Sequence, residues 1–147
     1  MATKNGVSLN WGGLDKALSK AGHKLGDTQA LMESVGDALV SGTLKRFDAE
    51  EEPTGKKWPK SKRAAKEGGQ TLTDKAFLRR SIDSAATPEK VMVGSNLPYA
   101  RIHQLGGKTG KGHKVDMPAR PYLGVSESDR DDVRAAMANF LAGAFKA

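Results

Sequence analysis

The polar residues that offer chemistry in this chain of 147 residues are concentrated between Ser95 and Arg120. Ser95, His103 and Asp116 supply a hydroxyl, an imidazole and a carboxylate, which are the three groups of a nucleophilic hydrolase. A catalytic triad is defined by its geometry, however, and almost any chain of this length contains such a triple. An enzyme is therefore the least favoured class of function, and the sequence assigns no catalytic residue.

A glycine- and lysine-rich segment, Gly106 to His113, resembles a phosphate-binding loop. Such a loop needs a glycine five residues before its Gly-Lys-Ser/Thr ending, because the backbone N–H groups between them surround the phosphate. Ile102 occupies that position for Gly107-Lys-Thr109, and Leu105 occupies it for Gly110-Lys111. We therefore expect a flexible loop that becomes ordered on contact with a neighbour, and no nucleotide site.

The metal-binding residues are sparse. The three histidines, His23, His103 and His113, are not spaced four apart, and the chain has no cysteine. Neither a zinc motif nor a disulfide is therefore predicted, and no cofactor is implied. For His103 we expect a side-chain hydrogen bond that fixes a turn.

Arg120 lies between Pro118 and Pro121. Because proline fixes φ, the guanidinium should point in a defined direction that suits a bidentate contact with a carboxylate. That carboxylate belongs either to the same subunit or to a neighbouring one. The aromatic residues Tyr99, Tyr122 and Trp58 are open to a similar choice, as core edges or as interface anchors.

The composition favours a subunit that gains burial from its neighbours. Apolar residues make up 37% of the chain and aromatic residues 5%, with 17 glycines and six prolines, which indicates a thin core and many loops. No apolar run reaches the ~20 residues of a membrane span, and no signal peptide is apparent. We expect a soluble protein without a membrane partner, in a reducing compartment.

The net charge of +7 is unevenly distributed. Residues 53–80 carry nine Lys and Arg against two Asp and Glu, and residues 101–120 carry five against one. Basic loops of this kind bind a phosphate backbone, dock on an acidic partner or remain solvated, and all three readings stay open. The candidate DNA or acidic-partner contacts are Lys56, Lys57, Lys60, Lys62, Arg63, Lys108, Lys111 and Lys114.

The predicted fold class is α+β, with a small, mostly antiparallel sheet packed by two helices. A long helix should begin at Asp27 or Thr28, end near Asp48, and be closed by residues 50–53. A C-terminal helix should begin after Ser126 or Ser128. Its apolar face, expected to lie in the core, consists of Val133, Met137, Phe140, Leu141, Ala144 and Phe145.

Between these helices the pattern predicts a hairpin of residues 82–86 and 91–94, followed by a third strand over residues 114–117. Shorter helices are expected within 14–25, 60–67, 71–81 and 97–105. Residues 1–13 are predicted to be a flexible arm and 14–147 a single domain. Residues 106–113 should be irregular, and residues 122–125 either form a short strand or lead straight into the last helix.

Five segments together resemble the virion-morphogenesis (tail-completion) family of Mu-type tailed bacteriophages. In chain order they are Pro53-Thr-Gly-Lys-Lys-Trp58, Leu72 to Ser81, Val93-Gly-Ser95, Tyr99 to Gly107, and Pro118-Ala-Arg-Pro-Tyr-Leu-Gly124. The resemblance runs over residues 44–133. It departs from the family pattern at Ala76, where the family usually has glycine, which puts a left-handed turn there in doubt.

The resemblance implies a structural protein of the phage neck or tail end, assembled in the host cytoplasm and retained in the virion. It implies a ring of copies, six-fold by analogy, that contacts neighbouring neck and tail proteins and surrounds packaged DNA. The expected interface residues are Trp58, Tyr99, His103, Gln104, Arg120 and Tyr122. The alternative function is a DNA-binding module that uses the loops 53–80 and 108–114.

Overall fold

The computed structural model describes residues 7–10 and 28–146. Its helices are α1 (Gln29–Ala49), α2 (Lys62–Glu67), α3 (Phe77–Ser81), α4 (Ala100–Leu105) and α5 (Glu127–Lys146). Its strands are β1 (Val7–Asn10), β2 (Asp83–Ala86), β3 (Val91–Ser95), β4 (Gly107–Thr109) and β5 (Val115–Met117). The α+β prediction is confirmed. The helix predicted within 14–25 lies outside the described residues, as does the predicted arm apart from 7–10.

Helix α1 is the central support of the core. It buries one stripe, made of Leu31, Met32, Val35, Leu39 and Phe47, at the spacing expected of an amphipathic helix. This stripe packs on β2 and β3, and α1 also runs along α5. The predicted boundaries are correct to within two residues.

The two ends of α1 are held by side chains in ways that the sequence did not indicate. Thr28 occupies the N-cap position, but its hydroxyl donates to the Pro88 carbonyl (2.6 Å) and does not cap the helix. At the other end Glu50 adopts a left-handed conformation with φ 55°. Its carboxylate accepts a hydrogen bond from the Thr71 N–H at 2.6 Å, which gives this charge a partner at the negative end of the helix.

The main sheet has the strand order β1-β3-β2, with both neighbours antiparallel to β3. The predicted hairpin of β2 and β3 is confirmed. The third strand is β1 and not residues 114–117, which form β5 and pair with β4 in a separate hairpin. The sequence Val7-Ser-Leu-Asn10 alternates apolar and polar residues as a half-buried strand does, and β5 carries too little apolar surface for that place.

The segment before α3 differs from the prediction. Helix α3 begins at Phe77, six residues later than expected, because Leu72 and Ala76 adopt left-handed conformations with φ 63° and 60°. The left-handed turn that alanine put in doubt is therefore present. A side chain in this region costs about 1 kcal/mol or more relative to glycine, so the surrounding packing must hold this segment.

A buried ion pair joins α1 to α5. The Arg46 guanidinium donates to Asp129 Oδ2 (2.7 Å), to the Tyr122 carbonyl (2.7 Å) and to the Gly124 carbonyl (3.1 Å). Asp129 and Ser126 also cap α5 reciprocally, each side chain accepting from the other's N–H at 3.0 Å. The predicted cap at Ser126 is thus confirmed, and residues 122–125 lead straight into α5.

The apolar face of α5 is only partly in the core. Val133 is buried and Met137 and Phe140 are half-buried, but Leu141 is 38% exposed. The core prediction for Leu141 is therefore wrong, because this residue lies at the flank of the stripe that faces α1. The side chains of Ala144 and Phe145 lie outside the described part of the chain.

Gly42 lies at a close approach between α1 and α5. A Cβ atom at this position would overlap the Asp129 carboxylate, which Arg46 and the Ser126 N–H hold in place. Gly42→Ala should therefore lower the free energy of unfolding by about 1–3 kcal/mol, measured by chemical denaturation. Gly143→Ala is the control, since nothing lies within 4 Å of its added Cβ. Equal stabilities of the two variants would contradict this packing.

Candidate interaction site

A groove of about 320 Å³ opens between the segment before α3 and the base of the second hairpin. We call it the aromatic groove; its apolar and aromatic lining comprises Leu72, Phe77, Leu78, Tyr99, His103 and Met117. Phe77 is 59% exposed and Tyr99 40% exposed. Two large aromatic side chains at the rim of an apolar groove are typical of a contact surface.

The lining of the groove includes the two residues before α3 whose backbone is left-handed. Leu72 and Ala76 line it, and neither is a residue type that favours positive φ. Strained backbone of this kind persists only where surrounding structure holds it, and it often occurs at functional sites. Both the strained backbone and the exposed aromatic side chains therefore mark the groove as a candidate site.

His103 lies inside this groove, with its ring edge-on to that of Tyr99 at 6.0 Å. Its main-chain carbonyl accepts a hydrogen bond from the main-chain N–H of Arg120 at 2.8 Å, which joins α4 to the segment that follows β5. The expected side-chain bond is not made by Nδ1, which is buried without a partner among the described residues. Burial, and then the nearby Arg120 charge, lower the pKa of the imidazole below its usual value.

Gln104 joins α4 to the segment 118–124. Its Oε1 accepts from the N–H groups of Tyr122 and Leu123, both at 3.0 Å, and its Nε2 donates to the Leu123 carbonyl at 3.0 Å. The side-chain amide therefore pairs with the backbone on both its donor and its acceptor side. Its contacts lie within the subunit.

Arg120 is almost fully buried, with 5% exposure. Its Nε donates to the Pro59 carbonyl at 2.6 Å, and an η nitrogen lies 3.6 Å from Met117 Sδ. The expected pairing with a carboxylate is absent from the described part of the chain, since no ion pair within 4 Å involves Arg120 there. A backbone carbonyl takes that place, and burial lowers the pKa of the guanidinium.

The other two aromatic candidates are core residues. Trp58 packs edge-on against Phe47, with ring centroids 5.5 Å apart, and donates from Nε1 to the Pro121 carbonyl at 2.8 Å. Tyr122 is fully buried and donates from its hydroxyl to the Ala100 carbonyl at 2.7 Å. Burial raises the pKa of Tyr122. Of the three candidate aromatics only Tyr99 is exposed, and an interface role for the six residues stays a prediction.

The segment expected to be irregular is instead a hairpin, residues 107–117, which we call the basic hairpin. Gly110 and Gly112 have φ values of 78° and 68°, and this conformation lets the chain reverse between β4 and β5. Every residue of the hairpin is exposed except Thr109 and Met117, which are half-buried. A two-stranded hairpin is marginally stable alone in water, so this one is suited to packing on another surface.

Two lysines of the basic hairpin carry unbalanced charge. Lys108 lies 3.3 Å from Asp116, whereas no ion pair within 4 Å involves Lys111 or Lys114 in residues 28–146. Val115, on the same hairpin, is 49% exposed. The hairpin thus presents both charge and apolar surface to its surroundings.

The first basic segment approaches the base of this hairpin. Lys56, Lys57, Lys60 and Lys62 are exposed and Arg63 is half-buried. Lys57 lies 3.3 Å from Glu51, and Arg63 lies 3.9 Å from Asp74. Because Pro59 accepts from Arg120, three residues after β5, the structure brings the two basic segments close together.

A second cleft, of about 430 Å³, lies between the end of α1 and the start of α5. We call it the acidic cleft; Glu51, Glu52 and Glu127 line it together with Pro53 and Gly55. Sequence reasoning treated residues 50–53 only as a helix stop and missed this feature. The run of three glutamates at residues 50–52 was the available signal in the sequence. Glu127 is far from this run along the chain, and only the fold brings it to the same cleft.

Neither a metal nor a membrane is indicated by the part of the chain that the structure describes. It contains no group of three or more His, Asp or Glu side chains that could hold a metal ion. None of its helices is long and apolar enough to cross a membrane.

This small α+β fold thus carries an apolar groove, an exposed hairpin and a charged cleft. The chain belongs to the phage virion morphogenesis family, whose family model matches residues 9–142. It therefore has a structural or assembly role in the making of phage particles, and the family resemblance seen in the sequence is confirmed.

Relatives in Haemophilus influenzae and in phage Mu agree with this family. "Mu-like prophage FluMu G protein 2" of Haemophilus influenzae is 34% identical over 120 residues, which cover 82% of this chain and 83% of that protein. "Putative capsid assembly protein G" of Escherichia phage Mu is 29% identical over 128 residues, covering 80% and 82%. "Mu-like prophage FluMu G protein 1" is 28% identical over 120 residues, covering 76% and 77%. No solved structure gives a significant match.

The lowered pKa of His103 predicts a pH dependence of stability. Because the folded state binds a proton at His103 less readily than the unfolded chain, stability is fully present above about pH 6.5. This contribution should be lost progressively as the pH falls below that value, because protonation of His103 then favours the unfolded chain. His103→Gln should remove part of this slope in urea unfolding curves, and His113→Gln, on the exposed hairpin, is the control. An unchanged slope in His103→Gln would refute the prediction.

Proposed function

We propose that this protein is a ring subunit of the phage head–tail neck or tail end, which completes the tail and joins it to the head. The basic hairpin is the observation that carries this proposal. It has few buried residues, and its exposed lysines and Val115 lack a covering surface within the described residues. Packing of such a hairpin on a neighbouring copy would supply the burial that it lacks in the isolated subunit.

The aromatic groove supports the same function. Phe77 and Tyr99 expose apolar surface next to the strained turn at Leu72 and Ala76. A neighbouring neck or tail protein that covered this rim would remove that surface from water. The groove and the hairpin are adjacent, since Met117 belongs to both. One face of the protein would thus carry two adjacent contact surfaces.

The family and the names of the relatives support an assembly role in the making of phage particles. We propose further that the protein assembles in the host cytoplasm, remains in the virion, and forms a six-fold ring around the DNA path. Exposed Lys60 and Lys62, next to the hairpin base, would face either that DNA or an acidic neighbouring protein.

Replacement of the hairpin tests this function. Residues 108–116 are exchanged for a short glycine-serine linker, and the variant is supplied to a phage that lacks the gene. Because these residues contribute little to the core, the variant should fold, while the yield of joined, infectious particles should fall strongly. Particle counts and negative-stain electron microscopy measure the outcome.

The control is Glu89→Ala with Lys90→Ala, in the exposed turn between β2 and β3, which should leave the particle yield unchanged. A normal yield from the hairpin replacement would contradict the proposed function. Heads and tails that accumulate unjoined would support it.

The second candidate function is DNA binding, favoured by Lys111 and Lys114 at the hairpin turn, which have no ion-pair partner among residues 28–146. If Lys111 and Lys114 contact phosphates, Lys111→Gln with Lys114→Gln should reduce the slope of log K against log salt by about 1.8. Gel shifts with duplex DNA at several salt concentrations measure this slope. Negligible binding by the unsubstituted protein would leave assembly as the function.

A further inference from the structure

We infer that Lys111 and Lys114 of the basic hairpin dock in the acidic cleft of a second copy of this chain. This inference rests on the proposed ring function and names the contact that would build the ring. It follows from charge complementarity between two surfaces that lie on different parts of one subunit.

The hairpin provides the cationic half of the contact. Lys111 and Lys114 flank the turn at its tip, and neither has an ion-pair partner within 4 Å in the described ranges. The third lysine, Lys108, is already 3.3 Å from Asp116. The charge available for a partner is therefore located at the tip.

The cleft provides the anionic half. At its inner end Arg46 and Asp129 neutralise one another at 2.7 Å, and Glu51 lies 3.3 Å from Lys57. Glu52 and Glu127 remain at the rim. The Glu52 carboxylate accepts a hydroxyl hydrogen bond from Thr54. The Glu127 side chain is 89% exposed and lies 3.7 Å from Arg130 of the same helix, an exposed pair that contributes little and can be exchanged for another cation. These two carboxylates are the natural partners of two incoming ammonium groups.

The remaining lining of the cleft also suits lysine. Gly42, Ala49 and Pro53 line it beside the carboxylates, and a lysine can bury its aliphatic stem against such residues while its ammonium group remains at the polar rim. Lys45 also lines the cleft, and its charge would oppose the incoming lysines in part. Across the whole lining the four carboxylates of Glu51, Glu52, Glu127 and Asp129 outnumber the two cations, Lys45 and Arg46.

The cleft of one subunit is not filled by that subunit's own hairpin. No hairpin residue is in the described lining of the cleft, and hairpin residues instead line the aromatic groove and its surroundings. A contact between hairpin and cleft therefore joins two copies through different surfaces. Such a head-to-tail contact closes into a ring when its rotation permits.

Charge reversal tests this contact. In one variant Lys111→Glu and Lys114→Glu reverse the hairpin, and in a second Glu52→Lys and Glu127→Lys reverse the cleft. Each variant alone should self-associate at least about tenfold more weakly than the unsubstituted protein, because like charges then meet at every contact. Sedimentation velocity at low salt measures the association.

Mixing the two variants supplies the decisive result. In an equimolar mixture each hairpin meets a cleft of opposite charge when the two variants alternate, so assembly should recover towards the unsubstituted level. Rings built this way should contain equal numbers of both variants. Weak association of each variant with no recovery on mixing would overturn the inference, and so would undiminished association of either variant alone.

Cross-linking gives an independent measurement, since the chain has no cysteine. Copies with Lys111→Cys are combined with copies with Thr54→Cys, next to Glu52, in concentrated solution and in assembled particles. The mixture should give disulfide-linked pairs, and each variant alone should give few. Absence of the mixed pair in both settings would overturn the inference.

The outcomes separate this contact from the proposed function. Suppose that charge reversal and cross-linking each give the result that overturns the inference, while the hairpin replacement still blocks particle completion. In that case the hairpin docks elsewhere and the ring function stands. If the hairpin replacement completes particles normally, the proposed function itself is wrong.

Discussion

The buried charge of Arg46 is the constraint on which the rest of the structure depends. Removing a guanidinium from water is costly unless charge and hydrogen bonds compensate it. Here Asp129 supplies the charge, and the carbonyls of Tyr122 and Gly124 supply further acceptors. One side chain of α1 thereby sets both the start of α5 and the path of the segment that leads into it.

That path determines the contact surfaces. With residues 122–124 held from one side by Arg46, the Gln104 amide holds the same backbone from the other side. Arg120, just before, then reaches the Pro59 carbonyl and draws the first basic segment to the base of the hairpin. The groove, the hairpin and the cleft are therefore joined by one hydrogen-bonded frame, and the hairpin and the groove rim keep exposed side chains among the described residues.

The sequence predicted those elements whose cause is local. Helix α1 follows from a 3.6-residue apolar stripe, and the cap of α5 follows from Ser126 and Asp129. The β2–β3 hairpin follows from the turn residues around Pro88 and the β-branched run that begins at Val91. It missed β1 because a short strand at a sheet edge depends on its partner, and it misjudged the hairpin at 107–117 because repeated glycines indicate flexibility and turns alike. Leu141 was assigned to the core because a helical stripe is wider than the surface that covers it.

By itself the sequence determined the fold class, the main helices, the positions of basic charge and the family, since these depend on residue type, periodicity and order along the chain. Only the tertiary structure decided that Trp58 and Tyr122 lie inside while Tyr99 lies at the surface, and that Arg120 binds a carbonyl. It also paired Arg46 with Asp129, 83 residues away, and joined Glu127 to the cleft. The reason is physical: which polar groups meet depends on long-range packing and on the desolvation of each group, and neither is encoded in local spacing.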